Sequence, residues 1–181
     1  MIEIKIIPIC DLKKDILKFL ETHLKKVFNL KTNILKLKFN IQFAYNSQRN
    51  QYLASEIINK VKVLKKTDME KWLIIVDVDL YFPGLNFIFG LADINNGIAI
   101  ISLSRLKQEF YGLPKDEFLF IERILKEATH ELGHLFYLQH CNNPTCVMHF
   151  SNSIIDTDKK SKNFCSVCQK NLKRNLDLMD P

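Results

Sequence analysis

Thr129-His130-Glu131-Leu132-Gly133-His134-Leu135-Phe136-Tyr137-Leu138-Gln139-His140-Cys141 is the stretch that decides how this chain folds and what it can do. On an α-helix, His130 and His134 lie about 40° apart in azimuth and one turn apart in height, so both imidazoles reach a common ion. Glu131 lies roughly 100° round the helix from His130, where a carboxylate meets a zinc-activated water rather than the ion itself. Zinc brings the pKa of such a water close to neutrality, and the glutamate then serves as general base and proton shuttle. His140 follows six residues after His134, too far along to share its helical face. The spacing therefore predicts a helix that ends near Tyr137, with His140 returning to the ion from the loop beyond.

Upstream, Pro114-Lys115-Asp116 opens this helix, with Asp116 or Lys115 at the cap, and Phe118, Leu119, Ile121, Leu125, Leu132 and Leu135 surround it with apolar side chains. A helix this apolar is buried. His130, Glu131 and His134 would then be costly to bury without partners, and a metal with its water satisfies all three.

Downstream lies a second set of metal-binding residue types. Cys141 and Cys146 are separated by four residues, Cys165 and Cys168 by two, and 18 residues connect the pairs. Two close cysteine pairs flanking a loop form the ligand pattern of a structural zinc site, in which four thiolates close the tetrahedron and leave no open position. His140 and Cys141 are adjacent, so one turn of chain bridges two metals, and the structural zinc locks the loop that delivers the third histidine. Two zinc ions per chain are expected, one catalytic and one structural. Cys10 is left over as a buried free thiol. His149 has no ligand spacing and reads as structural, with a substrate-pocket or loop role as the alternative.

The rest of the chain supplies a scaffold. Ile2 to Ile9 alternates as a strand, and a helix capped by Asp11 runs to about Phe28, with His23 on or beside its apolar stripe in a structural role. Ile34 to Ile41 alternates as a second strand, and Tyr52 to Leu64 reads as an amphipathic helix. The nearly continuous apolar run Trp72–Tyr81 is expected to be a central strand covered on both faces, with Asp77 and Asp79 in capping and loop hydrogen bonds. Strand–helix–strand–helix–strand order implies right-handed crossovers and a mostly parallel sheet. Phe87–Ala92 and Ile98–Ser102 then read as a hairpin or a closely connected strand pair, whose edge is a natural place for an extended peptide to add. The fold class is α/β (α+β).

With 181 residues, one domain can bury a core without disulfides. The formal charge of +6 is the excess of 26 Lys and Arg over 20 Asp and Glu, and the basic residues form no block, which describes a solvated surface rather than a nucleic-acid face. The N-terminus lacks a basic region followed by an unbroken apolar run, and no stretch reaches the roughly 18 apolar residues of a membrane span. Five cysteines without such a leader fit a reducing cytoplasm and metal ligation. A cytoplasmic, monomeric zinc-dependent catalyst is expected, with neither membrane nor nucleic acid as partner. The alternative is a non-catalytic or weakly active, zinc-stabilised scaffold that binds peptides or proteins.

Together, His130, Glu131, His134, His140, Cys141, Cys146, Met148, Cys165 and Cys168 resemble the archaemetzincins, metalloproteases with the pattern HExxHxxGxxHC, then CxM, then CxxC. The resemblance reaches back through Glu122–Glu127, Ser102–Leu106 and Val76–Leu80. It implies a zincin-like fold, with an upper subdomain over 1–136 that ends in the zinc helix and a lower one over 137–181. A cleft would run between them along the edge strand. It implies zinc-dependent peptide hydrolysis, with His130, His134 and His140 on the catalytic zinc, Glu131 activating water, and Met148 as the Met-turn beneath the histidines. One position departs from the family: its glycine is Tyr137 here. Glycine lets the chain leave the helix with φ > 0, and a tyrosine in that conformation is strained by about 1–2 kcal/mol. Either the turn absorbs this strain or the helix exits by another path and His140 shifts.

Overall fold

Alternation of branched apolar residues builds the centre of the molecule, which a computed structural model describes over residues 1–180. Strand β1 (Glu3–Pro8) lies between the parallel strands β2 (Lys31–Ile34) and β5 (Glu70–Val76), and β5 pairs in parallel with β8 (Ile98–Ser102). The edge strand β7 (Gly90–Asp93) runs antiparallel to β8, giving the order β2-β1-β5-β8-β7. The sheet is thus mostly parallel with an antiparallel edge, as its sequence pattern requires. Because successive side chains of a strand point to opposite faces, the sheet divides the core in two. Ile4, Ile6, Leu73, Ile75, Ala99 and Ile101 face helices α1 (Lys14–Phe28) and α3 (Glu117–Leu135). Ile7, Trp72, Ile74, Val76, Ile98 and Ile100 face α2 (Ala54–Val61). Strand β5 is buried on both faces, the condition its unbroken apolar run announces.

Several boundaries differ from the pattern reading. Helix α1 starts at Lys14, and Lys13 rather than Asp11 occupies the cap, without a side-chain hydrogen bond. Strand β2 ends at Ile34, where the predicted strand begins. Leu35 N–H still donates to Ile6 C=O at 2.8 Å, after which no neighbour continues the ladder. Leu37, Phe39 and Ile41 instead pack, partly buried, against the α2 side of the core. Their alternation therefore reports burial and not pairing. Tyr52 belongs to a short strand β4 (Gln51–Leu53), which joins β3 (Tyr45–Asn46) and β6 (Leu80–Tyr81) in a small second sheet. The run Trp72–Tyr81 is correspondingly split. Leu103 N–H takes Val76 C=O at 2.8 Å, and the Ser102 hydroxyl takes Val78 C=O at 2.6 Å. Asp79 then receives a bidentate pair from Arg105 at 2.6 and 2.7 Å, the loop role expected of it.

Helix α3 begins as its sequence indicates: Asp116 accepts from Leu119 N–H at 2.9 Å, a standard N-cap. It crosses the α1 face of the sheet, buried from Arg123 through Gly133, and ends over β7 and β8. Beyond it come α4 (Ile154–Lys159), with a capping box from Ser153 and Asp156, and α5 (Ser166–Met179). Among the described residues no helix is long and apolar enough to cross a membrane.

Candidate metal centre

The last two turns of α3 carry His130 and Glu131, which are buried, and His134, which is half-buried. Helix α3 then stops in a complete Schellman motif. Tyr137 N–H donates to His134 C=O at 2.9 Å, and Leu138 N–H to Gly133 C=O at 3.0 Å. That motif needs a left-handed residue between the two donors, and Tyr137 supplies it with φ 62°. Of the two exits open to the chain, the strained one is taken. Asn175 of α5 braces the turn from outside, donating to Phe136 C=O at 2.8 Å.

The turn also orients the first ligand pair. His134 Nδ1–H donates to Leu138 C=O, and His130 Nδ1–H to Val147 C=O, both at 2.8 Å. A backbone acceptor at Nδ1 fixes the tautomer and leaves the Nε2 lone pair free for a metal. The two Nε2 atoms stand 3.2 Å apart, close to the roughly 3.3 Å that tetrahedral zinc with standard Zn–N bonds requires. His140 comes back from the loop, exposed, and the ligand atoms of all three histidines lie within 4.8 Å of one another. Burial is the main cause that keeps His130 well below the ordinary histidine pKa and lowers those of His134 and His140. All three imidazoles are therefore neutral near pH 7, as ligands must be. Glu131 moves the other way. Burial first, then the neighbouring Glu127 charge, push its carboxyl up to about 8 against the pull of Lys160.

Cys141, Cys146, Cys165 and Cys168 meet equally closely, with sulfur atoms within 4.8 Å. Cys141 Sγ and Cys165 Sγ are 3.8 Å apart, the separation of about 3.8 Å that Zn–S bonds impose across a tetrahedron. Both sets therefore fit a tetrahedral ion, and a single loop serves them. His140 adjoins Cys141. Cys146 adjoins Val147, whose carbonyl orients His130. Cys141 N–H donates to Met148 C=O at 2.9 Å, and His149 Nδ1–H donates to Cys141 C=O at 2.8 Å, so His149 is structural as read. Met148 is fully buried beneath α3, and a methyl group built on Gly133 would stand 2.5 Å from its sulfur. The glycine inside the helical motif is there for space.

Pattern reading missed the charges behind the site. Lys160 is fully buried and pairs with Glu127, 3.1 Å from its Oε1, which also accepts from the Thr157 hydroxyl at 3.1 Å. Glu127 lies one helical turn before Glu131, so it was visible as another acid on the buried face; Lys160 carried no such signal. Cys10 is half-buried rather than buried, and its thiol is pushed up to about 12, chiefly by burial. His23 on α1 meets α3 and donates from Nε2 to the Thr129 hydroxyl at 3.0 Å, that hydroxyl being committed as donor to Leu125 C=O.

All three histidines open into a cleft of about 500 Å³ whose far wall is the loop before β7 and β7 itself: Phe82, Leu85, Phe87 and Phe89, then Gly90 and Leu91. A larger cavity of about 690 Å³ between the end of α1 and α5 contains none of the metal-binding side chains, so size alone does not locate the chemistry.

Comparison with known proteins agrees with this geometry. Residues 9–174 match the model of peptidase family M54. The archaemetzincin of Pyrococcus furiosus is 45% identical over 179 residues, covering 94% of this chain and 92% of its own. That of Pyrococcus horikoshii is 53% identical over 135 residues, 74% of this chain and 72% of its own. Among solved structures, a zinc-dependent peptidase from Methanocorpusculum labreanum superposes with TM-score 0.86 at 32% identity, over 93% of this chain and 99% of that one. The archaemetzincin of Methanopyrus kandleri does so with TM-score 0.84 at 35% identity, over 97% and 96%.

Proposed function

The chain belongs to peptidase family M54, the archaemetzincins, and from that premise we propose that it cleaves peptide bonds with one zinc on His130, His134 and His140 and with Glu131 as proton carrier. Membership makes it a zinc metallopeptidase; the assignment of roles to residues is our reading. The observation that carries it is the 3.2 Å between two Nε2 atoms whose rings are both committed to donate from Nδ1. Two lone pairs so close would repel each other unless a cation sat between them.

A bound zinc supplies Lewis acidity, making water nucleophilic near neutral pH and polarising the scissile carbonyl. Glu131 would take the proton of the attacking water and return it to the departing amine, a shuttle that its place next to His130 on the buried end of α3 permits. His130 and His134 keep their orientation through Val147 and Leu138. The free outer edge of β7 offers main-chain hydrogen bonds to an extended peptide, and the apolar wall from Phe82 to Leu91 contacts its side chains. Residues 1–136 form the upper subdomain and 137–181 the lower, with the substrate between. Cys141, Cys146, Cys165 and Cys168 hold a second, structural zinc, and the chain works as a cytoplasmic monomer.

Zinc content per chain, measured with cleavage of a diverse peptide library by the parent and by Glu131→Ala, tests this. Two zincs and cleavage that falls about a thousandfold or more in the variant are expected. Activity that survives loss of Glu131 would overturn the mechanism. Two zincs with no cleavage of any peptide would leave the scaffold as a binding protein.

A further inference from the structure

Gly90 opens the edge strand β7, paired with Ile101 of β8. It is not among the glycines with positive φ, which are Gly84, Gly97 and Gly112, so conformation does not call for glycine here. Space does. A methyl group built on Gly90 would stand 2.6 Å from Glu131 Cγ, 2.7 Å from its Oε1 and 2.8 Å from its Cδ. Carbon atoms in good contact keep about 3.5–4.0 Å. The three atoms nearest to that position all belong to Glu131, and neither backbone can yield to relieve the overlap. Gly90 is held in the ladder, flanked by the Ser102 N–H to Phe89 C=O bond of 2.8 Å. Glu131 is anchored in the buried part of α3. Only the torsions of the Glu131 side chain remain free to move.

We propose that Gly90 is a positioning residue for Glu131, its missing side chain forming the seat that holds the carboxyl against the edge strand beside which the substrate backbone lies. This rests on the reading of Glu131 as proton carrier. Any side chain at position 90 swings the carboxyl away from the strand while the histidines stay where Val147 and Leu138 hold them. The edge strand thereby does two jobs at one residue, templating the peptide and setting the base that acts on it.

Two thermodynamic cycles on the zinc-loaded full chain test the seat. In the kinetic cycle, Gly90→Ala should bind as much zinc as the parent, keep KM within about threefold, and lose about a hundredfold in kcat, the usual effect of misplacing a reacting group. Adding Gly90→Ala to Glu131→Gln should cost nothing further. In the thermal cycle, Gly90→Ala should lower the melting temperature and Glu131→Ala in the same chain should restore it, because removing the carboxyl removes the clash. Parental kcat in Gly90→Ala, or a kinetic loss that multiplies with that of Glu131→Gln, overturns the proposal; so does a thermal loss that Glu131→Ala leaves untouched. If Glu131→Gln itself remains active, the proton-carrier reading fails while the thermal cycle still reports on the contact.

Discussion

The histidine set and the cysteine set share one loop yet solve opposite problems. His130 and His134 come from a rigid buried helix, are aimed by backbone carbonyls, and are completed by the exposed His140 at the mouth of a cleft. The cysteines come from that loop and from the start of α5, and Cys146 and Cys168 are buried. Three neutral donors leave a coordination position for chemistry; four thiolates leave none. The contrast shows where precision is needed. A working site must be open, so it cannot enclose its own metal, and its third ligand has to be held from outside. The cysteine set sits where it can do that, adjoining His140 through Cys141 and the acceptor of His130 through Cys146.

The two sets differ in kind only if the cysteines are indispensable to the fold. Cys146→Ser should cost on the order of 4 kcal/mol or more, the range reached when a structural metal is lost. For a chain of this size that is a fall in melting temperature of about 8–16 °C. His134→Ala should lower the melting temperature by much less than Cys146→Ser does, while lowering the zinc bound per chain. Metal analysis and calorimetry on the pair decide it: equal thermal losses would mean that both sites are structural.

Acid distinguishes the two sets further, once a third kind of histidine is set apart from the clustered three. His23 on α1 is held at about 4, chiefly by burial, against about 6.5 in an unfolded chain. Its folded pKa is depressed, so its stabilising contribution is full above pH 6.5 and is lost as pH falls towards 4. His23→Gln can keep a donor for Thr129 but has no proton to gain. It should therefore lose less melting temperature than the parent between pH 7 and pH 4.5, with zinc release followed in parallel. Equal losses would show that His23 plays no part in acid unfolding.

Much of this was legible in the residues and some was not, for reasons that are physical. Residue spacing pointed to both clusters that the fold brings together, because a helix and a tight loop are local objects whose geometry follows from counting. Burial patterns gave β5, the hairpin and α3. They misplaced β2, because Leu37, Phe39 and Ile41 alternate as a strand does while packing without a partner, and hydrogen-bond partners are not local. Lys160 and Gly90 were invisible for the same reason. Each matters through a residue at least 30 positions away, Glu127 in one case and Glu131 in the other.

The smallest expected effect falls at the joint between the two sites. Tyr137 occupies a left-handed position that favours glycine, and its side chain is 55% exposed, so it gains little burial in return. The strain is about 1–2 kcal/mol, and a glycine would give back about 0.4–1 kcal/mol of it through greater freedom in the unfolded chain. Tyr137→Gly should therefore stabilise by about 0.5–1 kcal/mol, raising the melting temperature by about 1–4 °C. Zinc affinity at the histidines should not change, because the Schellman hydrogen bonds, Asn175 and the cysteine set already hold the turn. Combined with Cys146→Ser, the same substitution should strengthen zinc binding at the histidines, since the turn must then keep its shape without the cage. A melting temperature that does not rise would mean that the strain is no larger than the roughly 0.4–1 kcal/mol that glycine gives back in the unfolded chain. A rise with no added effect in the combined variant would mean that the helix end alone, without the cysteines, delivers His140.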